Sequence, residues 1–204
     1  MPSFNSDGVA IAYEEEGEGP PVLLIHGFAS NGRVNWWGTG WVKALAGAGR
    51  RVITIDNRGH GESEKLHDPA FYSATTMAED SRRLLDHLEI DKADVMGYSM
   101  GARIAAFLTI RHPDRVRRGV FAGLAERMIT GLGGGTAIAE ALEAASLDDV
   151  TDEEARGFRV FAEQTKSDLK ALAACMRSSR VKITVADLGR IEVPVLVVAG
   201  GDDK

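Results

Sequence analysis

The residues best suited to do chemistry are Gly97-Tyr98-Ser99-Met100-Gly101. A serine hydroxyl becomes a nucleophile when a turn presents it and a neighbouring base takes its proton. Gly97 and Gly101 flank the serine where a tight strand-to-helix turn would bring any Cβ against neighbouring backbone. Such a turn lifts Ser99 to the carboxyl edge of a sheet. It also opens a helix with the Met100 amide, where unpaired N–H groups and the helix dipole favour a developing oxyanion. The chemistry indicated is acyl transfer through a covalent intermediate on Ser99.

Three other segments have the composition to assist. His26-Gly27-Phe28 follows the apolar run Val22 to Ile25, and the Phe28 amide there can serve as a second oxyanion donor. His26 itself reads as a packing and hydrogen-bonding residue at a strand end rather than as a base. Asp56 to Ser63 is a polar, glycine-punctuated loop after Val52 to Ile55, and reads as a structural turn in which Asp56 and Arg58 satisfy backbone groups. Near the end of the sequence, Val193 to Ala199 runs into Gly200-Gly201-Asp202-Asp203. A serine nucleophile with a histidine base needs a carboxylate to hold the imidazole, in the chain order serine, acid, histidine. Asp203 is the first candidate, Asp202 the second and Glu126 the third.

These residues must be positioned by a sheet. Five short apolar runs, Val22 to Ile25, Val52 to Ile55, Val95 to Met96, Val116 to Phe121 and Val195 to Ala199, are mostly continuous rather than alternating, which suits strands buried on both faces. Val9 to Glu14 alternates and reads as an antiparallel edge strand. Helices are expected at Trp41 to Ala48, after a capping box of Thr76 with Glu79, and from Ala102 to Ile110, where Pro113 stops the helix just after His112. The result is an α/β fold, a three-layer α/β/α sandwich on a mostly parallel sheet. Between residues 125 and 186 the pattern turns helical, at Ala137 to Ala145, Asp152 to Gln164 (capped by Thr151 with Glu154) and Ser167 to Arg177. We read 1–124 as the first part of the core, 125–186 as a helical lid and 187–204 as the return to the core. Trp36, Trp37 and Trp41 could line an acyl pocket, although packing accounts for them as well.

Composition narrows the partners. Of 204 residues, 30 are acidic and 24 basic, and no basic stripe interleaves with aromatics, so neither nucleic acid nor an anionic membrane is expected. Cys175 is the only cysteine, which excludes an internal disulfide and disfavours a thiolate metal site. No signal peptide pattern or apolar run of membrane-spanning length is present, and a cytoplasmic location is the default. The chemistry calls for no metal and no organic cofactor.

Taken together, the His26-Gly27 loop, Asp56 to Ser63, the Ser99 turn and Leu188-x-x-Ile191-x-Val193-Pro194 leading to Asp203 resemble the α/β-hydrolase fold family over essentially the whole chain. The resemblance implies a carboxylic ester, lactone or thioester as substrate. Carbon–carbon bond hydrolases and acyltransferases share the fold, as would a non-enzymatic binding relative. Relatives that open epoxides or remove halide usually carry aspartate where Ser99 stands. The family pattern continues past the acid with a helix, a last strand and the catalytic histidine, whereas His67, His87 and His112 fit surface positions here. The expectation is a truncated chain lacking its C-terminal strand and helix, prone to self-association through an exposed sheet edge.

Overall fold

A computed structural model describes every residue except 125, 132, 179–180 and 202–204. Its centre is a seven-stranded sheet, formed by β1 (Ser3–Ser6), β2 (Val9–Glu16), β3 (Pro21–Ile25), β4 (Arg51–Ile55), β5 (Ala93–Tyr98), β6 (Val116–Ala122) and β7 (Val195–Val198). The spatial order is β1-β2-β4-β3-β5-β6-β7. Strands β3 to β7 pair in parallel, while β1 and β2 run antiparallel at one side. Leu23, Leu24, Ile25, Ile53 and Ile55 are completely buried. At about 1.5–3 kcal/mol for each such side chain, these continuous apolar runs fix which segments must be central.

Helices cover both faces. Around α2 (Ala74–His87) and α3 (Met100–Arg111) lies the larger core, with Leu84, Leu85, Ile104 and Leu108 fully buried. The smaller core, Val22, Leu24, Trp36, Val42 and Val52, is closed by α1 (Trp41–Gly47). Between β6 and β7 the described residues are helical: α4 (Arg127–Thr130), α5 (Gly135–Glu143), α6 (Glu153–Gln164), α7 (Leu169–Arg177) and α8 (Val185–Leu188). At the far side β7 is an edge among the described residues, with Leu196 and Val197 about 60% exposed. Among the described residues, no helix is long and apolar enough to cross a membrane.

Three local expectations are corrected. Strand β2 is not the edge: the short Ser3–Ser6 pairs outside it, and its alternation buries only Phe4 and Ser6, too few residues to register as a strand. Helix α2 begins two residues before Thr76, because Ser73 is extended and its Oγ accepts the Thr76 N–H at 3.0 Å. Glu79 is thereby placed on the helix flank, where it meets Arg82 and His112. Helix α6 is capped by Asp152, whose carboxylate accepts the Ala155 N–H at 2.8 Å, and not by Thr151. A carboxylate gains from the helix dipole there, and the shift releases Glu154 from capping.

Candidate active site

Parallel pairing aligns Ile25 with Ile55 on one side and with Gly97 on the other. The loops that leave β3, β4 and β5 therefore emerge together at one sheet edge. At the end of β5 the chain turns sharply into α3, with Ser99 at φ 52°, ψ −115°. Such a conformation is costly for a residue with a side chain, at roughly 1–3 kcal/mol. It is held by the Ser99 N–H bonding to the Ala122 carbonyl at 2.8 Å and by steric fit. A Cβ on Gly97 would lie 2.1 Å from the Gly101 carbonyl oxygen, and one on Gly101 would lie 2.0 Å from that of Ile25. Only glycine lets helix and strand approach so closely.

The loop after β3 lies against this turn: a Cβ on Gly27 would be 3.5 Å from Ser99 Cβ. His26 is fully buried, and its Nε2 accepts the Asn57 N–H at 3.0 Å. That bond fixes the tautomer, so Nδ1 carries the hydrogen and donates to the Gly27 carbonyl at 2.7 Å. Burial pushes His26 down to about 4, against the Gly27 bond. With both nitrogens engaged, His26 has no lone pair to offer Ser99. The Phe28 and Met100 N–H groups, by contrast, donate to nothing among the described residues.

The Asp56–Ser63 loop commits most of its polar groups to bonds that hold it in place, although Asn57 Oδ1 and His60 Nε2 are buried without a partner among the described residues. Asp56 accepts N–H groups from Gly32 and Glu62 at 2.7 and 2.8 Å, while burial raises its pKa. Arg58 forms a two-pronged buried ion pair with Asp80, both contacts at 2.7 Å. His60 is fully buried, its ring 5.3 Å from that of His26 and edge-on to Phe28. Burial, followed by the neighbouring His26, lowers it to about 3.

Ser99 is half-buried and opens on a cavity of about 330 Å³ with Phe28, Asn35 and Tyr98 at its base and Glu154, Phe158 and Phe161 above. The last three are spaced i, i+4, i+7 on α6, one helical face that the periodicity carried but did not single out. A second, more apolar cavity of about 270 Å³ adjoins it, lined by Met77, Met100, Leu124 and Cys175 and sharing Phe28 and Met176 with the first. The helical segment is tied to the β3 loop by Thr165 Oγ1 donating to the Ala29 carbonyl at 2.9 Å and by the Phe28–Phe158 ring contact. None of the three tryptophans lines either cavity. Trp36 fills the core on the other face of the sheet, and Trp37 and Trp41 are exposed.

Asp203 and Asp202 lie outside the described residues. Glu126 is exposed at the start of α4 and lines neither cavity. Each of the five histidines has a partner away from Ser99: His26 and His60 as above, His67 with Asp168, His87 with Tyr13, and His112 with Glu79. No group of three or more His, Cys, Asp or Glu among the described residues could hold a metal ion.

A serine on a strained strand–helix turn at the carboxyl edge of a parallel sheet, with the loop after β3 packed against it, defines a class. The chain belongs to the alpha/beta hydrolase fold family, whose model matches residues 20–130. Among its relatives, a 2-hydroxymuconate semialdehyde hydrolase from Pseudomonas sp. (strain CF600) is 39% identical over 118 residues, 58% of this chain and 41% of that protein. Epoxide hydrolase B from Mycobacterium tuberculosis is 36% identical, over 57% of this chain and 33% of its own length. The chain thus spans less than half the length of these curated relatives. Of solved structures, a hydrolase from Pseudomonas aeruginosa PA01 superposes with a TM-score of 0.72 at 26% identity, covering 98% of this chain and 79% of that one.

Proposed function

We propose that this chain carries the nucleophile and oxyanion site of a serine hydrolase that cleaves carboxylic esters or lactones through an acyl-enzyme. The observation that carries the reading is Ser99 at positive φ with the unpaired Phe28 and Met100 amides beside it. Ser99 Oγ attacks the substrate carbonyl as its proton passes to a histidine base, and the two amides take the charge on the oxygen. The tetrahedral intermediate collapses, the C–O bond to the leaving alcohol breaks, and the alcohol departs with the histidine's proton. Water, deprotonated by the same base, then releases the carboxylic acid and restores Ser99.

Because each of the five histidines bonds away from Ser99, the reading leaves the base unassigned and takes Asp203 as the acid that orients it. The helical segment 125–186 acts as the lid. An apolar acyl group suits the cavity behind Met100: an engineered cavity of about 150 Å³ holds benzene, so 270 Å³ has room for a medium-length chain.

Turnover of p-nitrophenyl butyrate by the protein should fall about a thousandfold or more in Ser99→Ala, with Tm little changed because alanine keeps the Cβ that strains the turn. Full turnover in that variant would end the proposal. A second reading, hydrolysis of a carbon–carbon bond next to a ketone, is favoured by the 39% identity to a semialdehyde hydrolase. Preference for a vinylogous diketone over the ester, still dependent on Ser99, would select it.

A further inference from the structure

We infer that Asn35 is a positioning residue for the oxyanion site; this rests on the reading of Ser99 and Phe28 given above. Asn35 sits in a single π-helical turn, Arg33–Trp37, just beyond the β3 loop. Its Oδ1 accepts the Gly27 N–H at 3.0 Å. Since the partner is a backbone donor, the oxygen end of the side-chain amide must face it.

The geometry of the peptide unit shows what that bond does. Phe28 N–H shares a planar, trans peptide with the Gly27 carbonyl, so the two point in opposite directions. The carbonyl is held by His26 Nδ1 at 2.7 Å and by the Ser30 N–H at 3.3 Å, which sets the line along which the Phe28 N–H is aimed. That plane can still swing about the Gly27 Cα, because glycine has no side chain to resist it. Asn35 holds the preceding peptide unit by its N–H and so removes this remaining freedom. Both units that meet at Gly27 are then fixed, one by its donor and one by its acceptor.

Asn35 is itself firmly placed. Its N–H bonds to the Asn31 carbonyl at 2.9 Å, and its carbonyl accepts Thr39 Oγ1 at 2.7 Å. The next residue, Trp36, is 1% exposed in the core on the far face of the sheet. An anchor in that core is therefore relayed through Asn35 to the β3 loop. π-Turns occur often at functional sites, where an extra residue re-aims a side chain.

The test uses the full-length protein, an ester substrate and hydrogen exchange at the Gly27 amide. Asn35→Ala should lower kcat roughly tenfold with KM within about threefold, below the 10²–10³ lost when an oxyanion donor is removed outright. The Gly27 amide should lose protection in the same variant. Asn35→Asp keeps the acceptor and should recover Gly27 protection and most of kcat. Unchanged kcat in Asn35→Ala, or lowered kcat with full Gly27 protection, would overturn the assignment. So would Asn35→Asp restoring protection without turnover. If the parent protein cleaves no ester at all, the hydrolase reading fails instead, and the exchange data still report the Asn35–Gly27 bond.

Discussion

Two loops leave the same sheet edge on either side of β3 and use polar residues in opposite ways. The loop after β4 spends most of its polar groups on itself, on the β3 loop and on α2: Asp56 takes the Glu62 and Gly32 N–H groups, Ser63 Oγ donates to the Asp56 carbonyl at 2.6 Å, and Arg58 grips Asp80, while Asn57 Oδ1 and His60 Nε2 are buried without a partner among the described residues. The turn after β5 spends almost none. Ser99 Oγ bonds to no described residue, the Met100 amide is unpaired, and close backbone contact at two glycines gives the turn its shape. A loop that commits most of its donors and acceptors to holding its own place serves structure, whereas a site must keep them available. That requires holding the turn by packing, which uses up no hydrogen-bonding group.

The largest effect should come from breaking the loop after β4. Asp80→Ala strands a buried guanidinium and should cost about 3–5 kcal/mol of stability, read as a lowered urea midpoint. Turnover per folded molecule should be unchanged; a loss of turnover at full stability would mean the two loops are not separable as described. Gly101→Ala attacks the other loop. The added Cβ must push apart α3 and the end of β3, at about 1–3 kcal/mol, and turnover per folded molecule should drop by more than stability alone explains. Normal turnover in that variant would show that the turn tolerates relaxation.

The most gradual effect, spread over pH rather than set by one substitution, lies at the seam, where His26 of the β3 loop bonds Asn57 of the β4 loop and packs against His60. Both imidazoles are held neutral, His26 down to about 4 and His60 to about 3, from 6.5 when unfolded. Below pH 6.5 the unfolded chain binds protons that the folded chain refuses, so stability falls with pH until about 4 and 3 respectively. The slope approaches 1.4 kcal/mol per pH unit for each histidine. Asp56, raised by burial, takes up its proton first in the folded state and softens that slope. Urea midpoints at pH 6.5, 5.5 and 4.5 should decline and flatten in His60→Phe; a flat profile in the parent would contradict the buried neutral pair.

Much of this was legible in one dimension. Continuous β-branched runs marked five of the strands, and Gly-x-Ser-x-Gly between a strand and a helix marked the elbow, because a steric requirement for glycine leaves a direct trace in sequence. Residues that act through a single long-range bond leave none. Asn35 carries no signal of its own, and its partner Gly27 is found only when the π-turn folds back on the loop. The tryptophans misled for the same reason: closeness in sequence to Gly27 did not say on which face of the sheet Trp36 would be buried.

The sequence by itself determined the sheet's central strands and the positive-φ serine. Each follows from local constraints: apolar burial on both faces of a strand and the exclusion of Cβ atoms from a tight turn. Only the tertiary structure decided which polar groups remain unpaired. His26 and His60 are silenced and Asn35 is recruited by contacts across 31, 2 and 8 residues of chain. Hydrogen-bond partners are chosen by how β3, β4 and the turn after β3 converge at one sheet edge, and no spacing in the sequence records that convergence.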